Sequence, residues 1–364
     1  MHTTLHLTQR CNLRCKYCYV HQNTGDMDFS TAKKAIEMFT EQGLTGIVFF
    51  GGEPLLKKDL IYRIVEFAED YAPDRFHYKI TTNGVLLDEK FVDYAEQTGI
   101  IICLSHDGIE PAHDFNRVYP DGKGTFEQTT EKLEMLIARQ PYAPILMVLD
   151  ALFVDTLTES VEFFLEKGVK YLIISLNYAG AWNDKRIKRL RKEFKKLAAV
   201  YEREIRAENK IYISPFDKRF NYYIWNLEGT SCNLGYRQIS VAPDGTFYPC
   251  VQFVGRREYA IGSANAGINE AKRKELFLRN QIFYAPCEEC ALKERCHNRC
   301  ACLNMQVTGN PFVVPAVLCE VERTIIPIVD ALGNKLYKER VPLFMQKHYN
   351  PLYPFISYLE DISL

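Results

Sequence analysis

The chain has 364 residues, 47% of them hydrophobic and 25% charged, with a formal net charge of −1. That length exceeds one small core and predicts two domains, while the near-neutral charge gives no footprint for nucleic acid. No apolar run approaches the ~20 residues that a membrane-spanning helix needs. The opening residues, Met1-His2-Thr3-Thr4, lack a basic region followed by an apolar stretch, so no secretory signal is read and a reducing, cytoplasmic setting is expected. Twelve cysteines in such a setting argue for metal ligation over disulfides. Their distribution agrees: three lie at 11–18, one at 103 and eight between 232 and 319.

The first predicted strand covers 3–8 and runs directly into Cys11-Asn12-Leu13-Arg14-Cys15-Lys16-Tyr17-Cys18. Three thiolates on one loop can hold three irons of a four-iron cluster and leave the fourth iron without a nearby ligand. Zinc is the other reading of clustered cysteines, although its structural sites favour paired knuckles and four ligands. A helix opens at Ser30 and stops near Gly43. A strand at 46–50 ends in Gly51-Gly52-Glu53-Pro54, where two glycines allow a close backbone approach to a ligand. A helix follows over 60–68. Strands at 78–82 and 100–104 end in the short polar runs Thr81-Thr82-Asn83-Gly84 and Ser105-His106-Asp107-Gly108, which as plain turns need no function. Two further strands are predicted at 145–149 and 171–176.

Strands alternating with helices give about six βα units of a parallel sheet, short of a full eight-unit barrel. In such folds chemistry gathers in loops at the C-terminal strand ends, which is where the cysteine loop sits. Residues 185–197 carry eight lysines and arginines, read as the solvated face of a helix, with a docking face for an acidic peptide as the sharper alternative. From about 228 the texture turns to loops bearing cysteine, proline and glycine, a second domain in which metals substitute for a hydrophobic core. Here Cys232 is followed after twelve residues by Gly245 and after four more by Cys250. Then come Cys287-x2-Cys290-x5-Cys296-x3-Cys300 and, eighteen residues on, Cys319. Cys103 reads as a buried small hydrophobe. Cys302 is left as an unused thiol, a missing ligand or a reactive group.

The C-x3-C-x2-C loop with Tyr17 before its last cysteine, one βα unit ahead of Gly51-Gly52-Glu53-Pro54, resembles the radical S-adenosylmethionine enzymes. The later seven-cysteine spacing resembles the SPASM extension found on radical enzymes that mature peptides and proteins. The resemblance spans nearly all of 1–322. It implies a partial (β/α)6 TIM-type barrel (1–200), a bridging region (201–228), a small cysteine-rich iron–sulfur SPASM domain (229–322) and a C-terminal tail (323–364).

The resemblance also implies cofactors: S-adenosyl-L-methionine and three [4Fe-4S] clusters, one of them held by Cys11, Cys15 and Cys18. In the family the free iron chelates the nucleotide's amine and carboxylate, and reduction yields a 5′-deoxyadenosyl radical that takes a hydrogen atom from substrate. Gly51, Gly52, Glu53, Pro54, Tyr17, Thr82, Asn83, Ser105, Asp107 and Arg117 would line the nucleotide, with Ser105 and Asp107 near the ribose. Arg117 matches a position that meets its carboxylate end or the substrate. His106 reads as incidental. Cys287, Cys290, Cys296 and Cys319 would complete one auxiliary cluster, and Cys232, Cys250 and Cys300 would hold the other with three thiolates. That leaves an open iron or an unidentified ligand.

An open iron could take a substrate cysteine thiolate, as the thioether-forming maturases of ribosomal peptides would require. Sulfatase maturases place an Asp after the cysteine that corresponds to Cys250; here that residue is Val251. The leading expectation is therefore a radical maturase forming a Cys thioether in a ribosomally made precursor peptide, served by a flavodoxin- or ferredoxin-type electron donor. The alternatives are another radical outcome (side-chain oxidation, a carbon–carbon crosslink, epimerisation) and, in another class, a non-catalytic iron–sulfur electron carrier. With the first strand beginning almost at once, no fused leader-binding domain is expected ahead of it. The aromatic tail (Tyr337, Phe344, Tyr349, Tyr353, Phe355, Tyr358) would pack on the barrel or meet a partner. The sequence singles out no catalytic acid or base.

Overall fold

The computed structural model describes residues 1–20, 24–225, 232–282, 285–296 and 300–353. Six strands appear where the apolar runs place them: β1 (His2–Thr8), β2 (Gly46–Gly51), β3 (His77–Thr82), β4 (Ile101–Ser105), β5 (Ile145–Leu149) and β6 (Tyr171–Leu176). Each pairs in parallel with the next, with helices crossing between them, so the partial barrel is the observed architecture. Alternation sets the faces. On β2, Ile47 and Phe49 are buried while Val48 and Phe50 are half-buried, and on β5 Leu146 and Val148 are the half-buried pair.

Five short strands extend the sheet beyond what periodicity signals. β7 (Tyr212–Ile213) adds to β6, and β8 (Gln238–Val241) adds in parallel to the free side of β1. Three antiparallel strands then continue outward: β9 (Thr246–Tyr248), β10 (Gly262–Ser263) and β11 (Gly267–Ile268). The cysteine-rich half is thus hydrogen-bonded to the barrel's first strand, and Phe247 of β9 packs on Phe39 of the first helix with ring centroids 4.9 Å apart. Strands of two to four residues in a Gly- and Pro-bearing stretch carry too little alternation to be read from sequence.

Punctuation differs in one detail. The first helix is Phe29–Thr40, and its cap is Asp28, not Ser30: the Asp28 carboxylate accepts from the Thr31 amide at 2.7 Å. The Asp184–Arg206 helix buries Leu190, Phe194, Leu197, Tyr201 and Ile205 on one stripe, leaving the basic residues on the other side. Arg189 there pairs with Asp155 at 2.7 Å.

Two helices run through the expected boundaries. Asp184–Arg206 crosses 200/201 and Ala316–Lys338 crosses 322/323. The tail packs as far as it is described. Phe344 is buried, 5.3 Å from Phe220, and Lys347 lies 2.6 Å from Asp217. Burial works against the Asp217 charge, but Lys347 and His348 outweigh it and hold its carboxyl at about 2. Phe355 and Tyr358 lie outside the described residues.

Candidate functional site

The cysteine loop and the Gly51-Gly52 turn are built against each other. A Cβ on Gly51 would meet the Thr8 carbonyl oxygen at 2.2 Å, and one on Gly52 would meet the Arg10 oxygen at 2.1 Å. Both glycines are therefore required by the approach of the backbone that leads from β1 into the cysteine loop, a demand beside the ligand approach that the sequence suggests. Two hydrogen bonds fix the approach: Gly52 N–H donates to Thr8 at 2.8 Å and Glu53 N–H to Arg10 at 2.9 Å. On its other side the loop is tied to 116–118, with Arg14 N–H donating to Val118 at 2.7 Å and Lys16 N–H to Asn116 at 3.0 Å.

Glu53 is fully buried and spends its carboxylate inside the protein. It accepts from Leu55 N–H at 3.0 Å, Thr82 Oγ1 at 2.7 Å and Asn83 N–H at 2.8 Å. Burial pushes its pKa up, only partly countered by those donors. Pro54 starts the short turn that follows. Asn83 reaches back to the cysteine loop, donating to Asn12 at 2.9 Å, with Cys11 Sγ at 3.7 Å. Thr82 and Asn83 thus join the second motif to the first.

Asp107 and Arg117 face each other. The Arg117 guanidinium contacts both Asp107 oxygens, at 3.0 and 3.2 Å, and Asp107 also accepts from Tyr17 and from Val148 N–H. Both residues are buried, so the Asp107 carboxylate holds Tyr17 and Arg117 in place. Burial opposes the Arg117 charge, but Asp107, Tyr17 and Cys15 push its pKa up, keeping a fixed cation beside Cys15. Ser105 closes β4, half-buried, in register with Leu146 of β5. His106 is pinned between Thr130 and the Gly108 amide, and burial pushes its pKa down to about 3, so it stays neutral. Cys103 is buried within β4.

Sequence reasoning passed over Tyr19. Burial pushes its phenol up, as do Cys250, Cys18 and Cys302. It is therefore an electrostatic neighbour of both the first cysteine loop and the cysteine-rich half. Its position two residues past Tyr17 gives no sequence signal for this.

The later cysteines form two groups. Cys287, Cys290, Cys296 and Cys319 line one cavity of ≈ 130 Å³ together with Phe312 and Leu318. Cys232 has Cys300 and Cys250 as electrostatic neighbours, and burial pushes its thiol up to about 12. Cys302 joins this second group, donating to Cys250 Sγ at 2.8 Å.

The thiols suit an inorganic cluster. Burial pushes Cys11 up to about 12 against the Leu13 amide that it accepts at 3.3 Å, and iron would deprotonate such a thiol on binding. Among the described residues no three His, Cys, Asp or Glu side chains close on a single-ion site. None of the described helices is long and apolar enough to cross a membrane.

Residues 5–164 match the family model described as the Radical SAM superfamily. An uncharacterised Methanocaldococcus jannaschii protein is 35% identical over 178 residues, which are 48% of this chain and 62% of that protein's length. A cysteine-type anaerobic sulfatase-maturating enzyme of Clostridium perfringens is 23% identical over 80% of this chain and 85% of its own. Among solved structures, anSMEcpe with bound AdoMet superposes with a TM-score of 0.76 at 20% identity, over 92% of this chain and 99% of that one. Streptococcus suis SuiB bound to precursor peptide SuiA gives 0.63 at 15% identity, over 87% and 75%. The structural likeness extends past the family match through the cysteine-rich half.

Proposed function

The chain is a radical SAM enzyme across residues 5–164, and from that premise we propose that it modifies a ribosomally made peptide, forming a thioether between a Cys sulfur and an unactivated carbon. The carrying observation is the interlock at the strand ends, where Gly51 and Gly52 admit the Thr8 and Arg10 backbone and Glu53 and Asn83 tie both motifs together. A plain electron carrier has no use for that second motif.

In this reading Cys11, Cys15 and Cys18 hold the cluster that binds the nucleotide. Cys287, Cys290, Cys296 and Cys319 hold the outer auxiliary cluster, and Cys232, Cys250 and Cys300 hold the inner one. Once bound, the reduced cluster and S-adenosyl-L-methionine supply a hydrogen-atom abstractor. The protein's own part is placement. Gly51–Pro54 present backbone groups to the nucleotide, while Thr82, Asn83 and Ser105 flank it from the neighbouring strand ends. Asp107 orients Tyr17 and Arg117, whose charge offsets the cluster's beside Cys15. A small flavodoxin or ferredoxin would supply the electron.

Similarity to a sulfatase-maturating enzyme favours a second reading, oxidation of a Ser or Cys side chain. The Val251 position weakens it, because a valine cannot accept a proton. The test is anaerobic incubation of reconstituted protein with S-adenosyl-L-methionine, dithionite and candidate cysteine-bearing peptides. 5′-Deoxyadenosine should form, and Cys15→Ala should abolish it. A crosslink removes two hydrogens from the peptide, whereas epimerisation leaves its mass unchanged. Loss of one alkylatable thiol then separates a thioether from a carbon–carbon bond. A product that retains every thiol would overturn the thioether reading.

A further inference from the structure

We infer that Cys302 is the fourth thiolate of the inner auxiliary cluster, closing the iron that Cys232, Cys250 and Cys300 leave open. The inference rests on the reading of those three as cluster ligands. It adds a residue outside the seven-cysteine spacing, and it changes what that cluster can do.

The geometry carries it. Cys302 is 3% exposed and its Sγ lies 2.8 Å from Cys250 Sγ, well beyond a disulfide bond and within hydrogen-bond reach for sulfur. Cys300, two residues back, is its other electrostatic neighbour. Cys300 and Cys250 are in turn electrostatic neighbours of Cys232. Cys302 and Cys250 thus touch, and Cys300 and Cys232 are their electrostatic neighbours, although the four come from a loop before β8, from just past β9 and from a helix start.

Surrounding donors point at the same spot. Cys300 caps the Ala301–Thr308 helix, and Cys302 is that helix's second residue. The first-turn amides lie near the sulfurs and favour their thiolate forms, Ala301 N–H at Cys232 and the Cys302 and Leu303 N–H groups at Cys300, without a side-chain capping hydrogen bond from Cys300. Amides directed at sulfur are a principal means by which proteins stabilise an anionic cluster. A buried thiol serving only as filler would need none of these donors, nor three other thiols around it.

The consequence concerns substrate. With Cys302 bound, the inner cluster offers no free iron to a substrate thiolate. A peptide sulfur could reach it only by displacing Cys302, by exchange of one thiolate for another with the proton passing from the incoming to the outgoing thiol. At rest the cluster is then suited to accept an electron, not to hold the substrate's sulfur.

The test uses the full chain with Cys11, Cys15 and Cys18 replaced by alanine, so that only the auxiliary clusters load. Iron, sulfide and EPR spectra are compared with and without 2-mercaptoethanol for this background and for added Cys302→Ala, Cys302→Ser or Cys250→Ala. The background should bind about eight irons, and its spectrum should ignore the thiol. Cys302→Ala should either lose about half the iron while the outer cluster stays, or keep it and acquire a signal that the thiol shifts back. If alanine empties the chain altogether, the serine variant decides: a changed spectrum supports ligation, an unchanged one refutes it. A background that already responds to the thiol, or a Cys302→Ala protein identical to it, overturns the inference. A Cys250→Ala protein with full iron would instead overturn the underlying reading of the site.

Discussion

The two cysteine-bearing regions are assembled on opposite plans. Around Cys11, Cys15 and Cys18 the protein itself does the positioning. Backbone meets backbone at Gly51 and Gly52, the buried Glu53 carboxylate accepts three donors, and the Asp107–Arg117 pair fixes Tyr17. Around Cys287, Cys290, Cys296 and Cys319 there is a cavity whose first three cysteines sit on short turns, while the helices Glu270–Gln281, Ala301–Thr308 and Ala316–Lys338 supply walls and the fourth cysteine. The contrast teaches that similar ligands can be held by a pre-formed frame in one place and, in the other, can themselves be the frame. On the proposed ligand assignment, metal binding would then contribute folding free energy mainly in the second region.

Removing iron gives the largest separation. After chelation under denaturant-free conditions, amides in 285–296 and 300–308 should exchange at least about tenfold faster, while those of β1, β2 and β3 change little. Hydrogen-exchange mass spectrometry reads both at once. Equal protection loss across the barrel would erase the distinction between the two plans.

Glycine substitutions sharpen it. Gly52→Ala drives a Cβ into a carbonyl oxygen of the cysteine loop, which only backbone movement relieves, and should cost about 3 kcal/mol. Gly245, the glycine of the later cysteine spacing, has φ +81, with side-chain carbons of Thr31 at 3.3 Å and Ala264 at 3.4 Å ahead of it and the Ala264 backbone nitrogen only at 4.0 Å. Its alanine variant should cost ~1 kcal/mol, the left-handed backbone penalty alone. Urea midpoints of the two variants test the ratio. Glu53→Gln is the next step down. The amide nitrogen must face a donor, the Asn83 N–H or the pair at Leu55 and Thr82, leaving one unsatisfied at a cost of about 2 kcal/mol. Calorimetry with S-adenosyl-L-methionine should show roughly tenfold weaker binding.

The barrel was legible because six apolar runs of five or six residues each carry a strand's full signal, and because chemistry in parallel sheets gathers at strand ends. The motif residues were found for the same reason, yet their work was only partly readable. Gly51 and Gly52 read as ligand glycines, and the sheet register adds a second demand by bringing Thr8 and Arg10 onto them; Asp107 reads as a ribose neighbour, and packing adds Arg117 beside it. Contacts between residues ten to forty positions apart are set by packing, which spacing does not encode. In the cysteine-rich half the reverse held. The spacing grouped the cysteines, but nothing in it foretold β8 pairing with β1 or Cys302 meeting Cys250.

The seam between the two regions supplies the smallest effect. β1 lies between β2 and β8, and it carries His6, fully buried, its ring edge-on to Phe50 with centroids 5.2 Å apart. Neither ring nitrogen has a hydrogen-bond partner, and burial pushes its pKa down to about 3. The unfolded chain therefore binds a proton that the folded one refuses between the ordinary value near 6.5 and about 3. Stability from this site is complete above that ordinary value and drains as pH falls below it. From pH 7 to 5.5 the loss should be about 1 kcal/mol. In His6→Leu nothing titrates, so the variant should lose that much less over the same interval, whatever its absolute stability. The double difference in urea midpoints isolates the ring from every other acid-sensitive group, the clusters included. An identical pH slope in both proteins would mean that the β1–β8 seam admits water to the ring, and that the joint between the two regions is looser than its hydrogen bonds suggest.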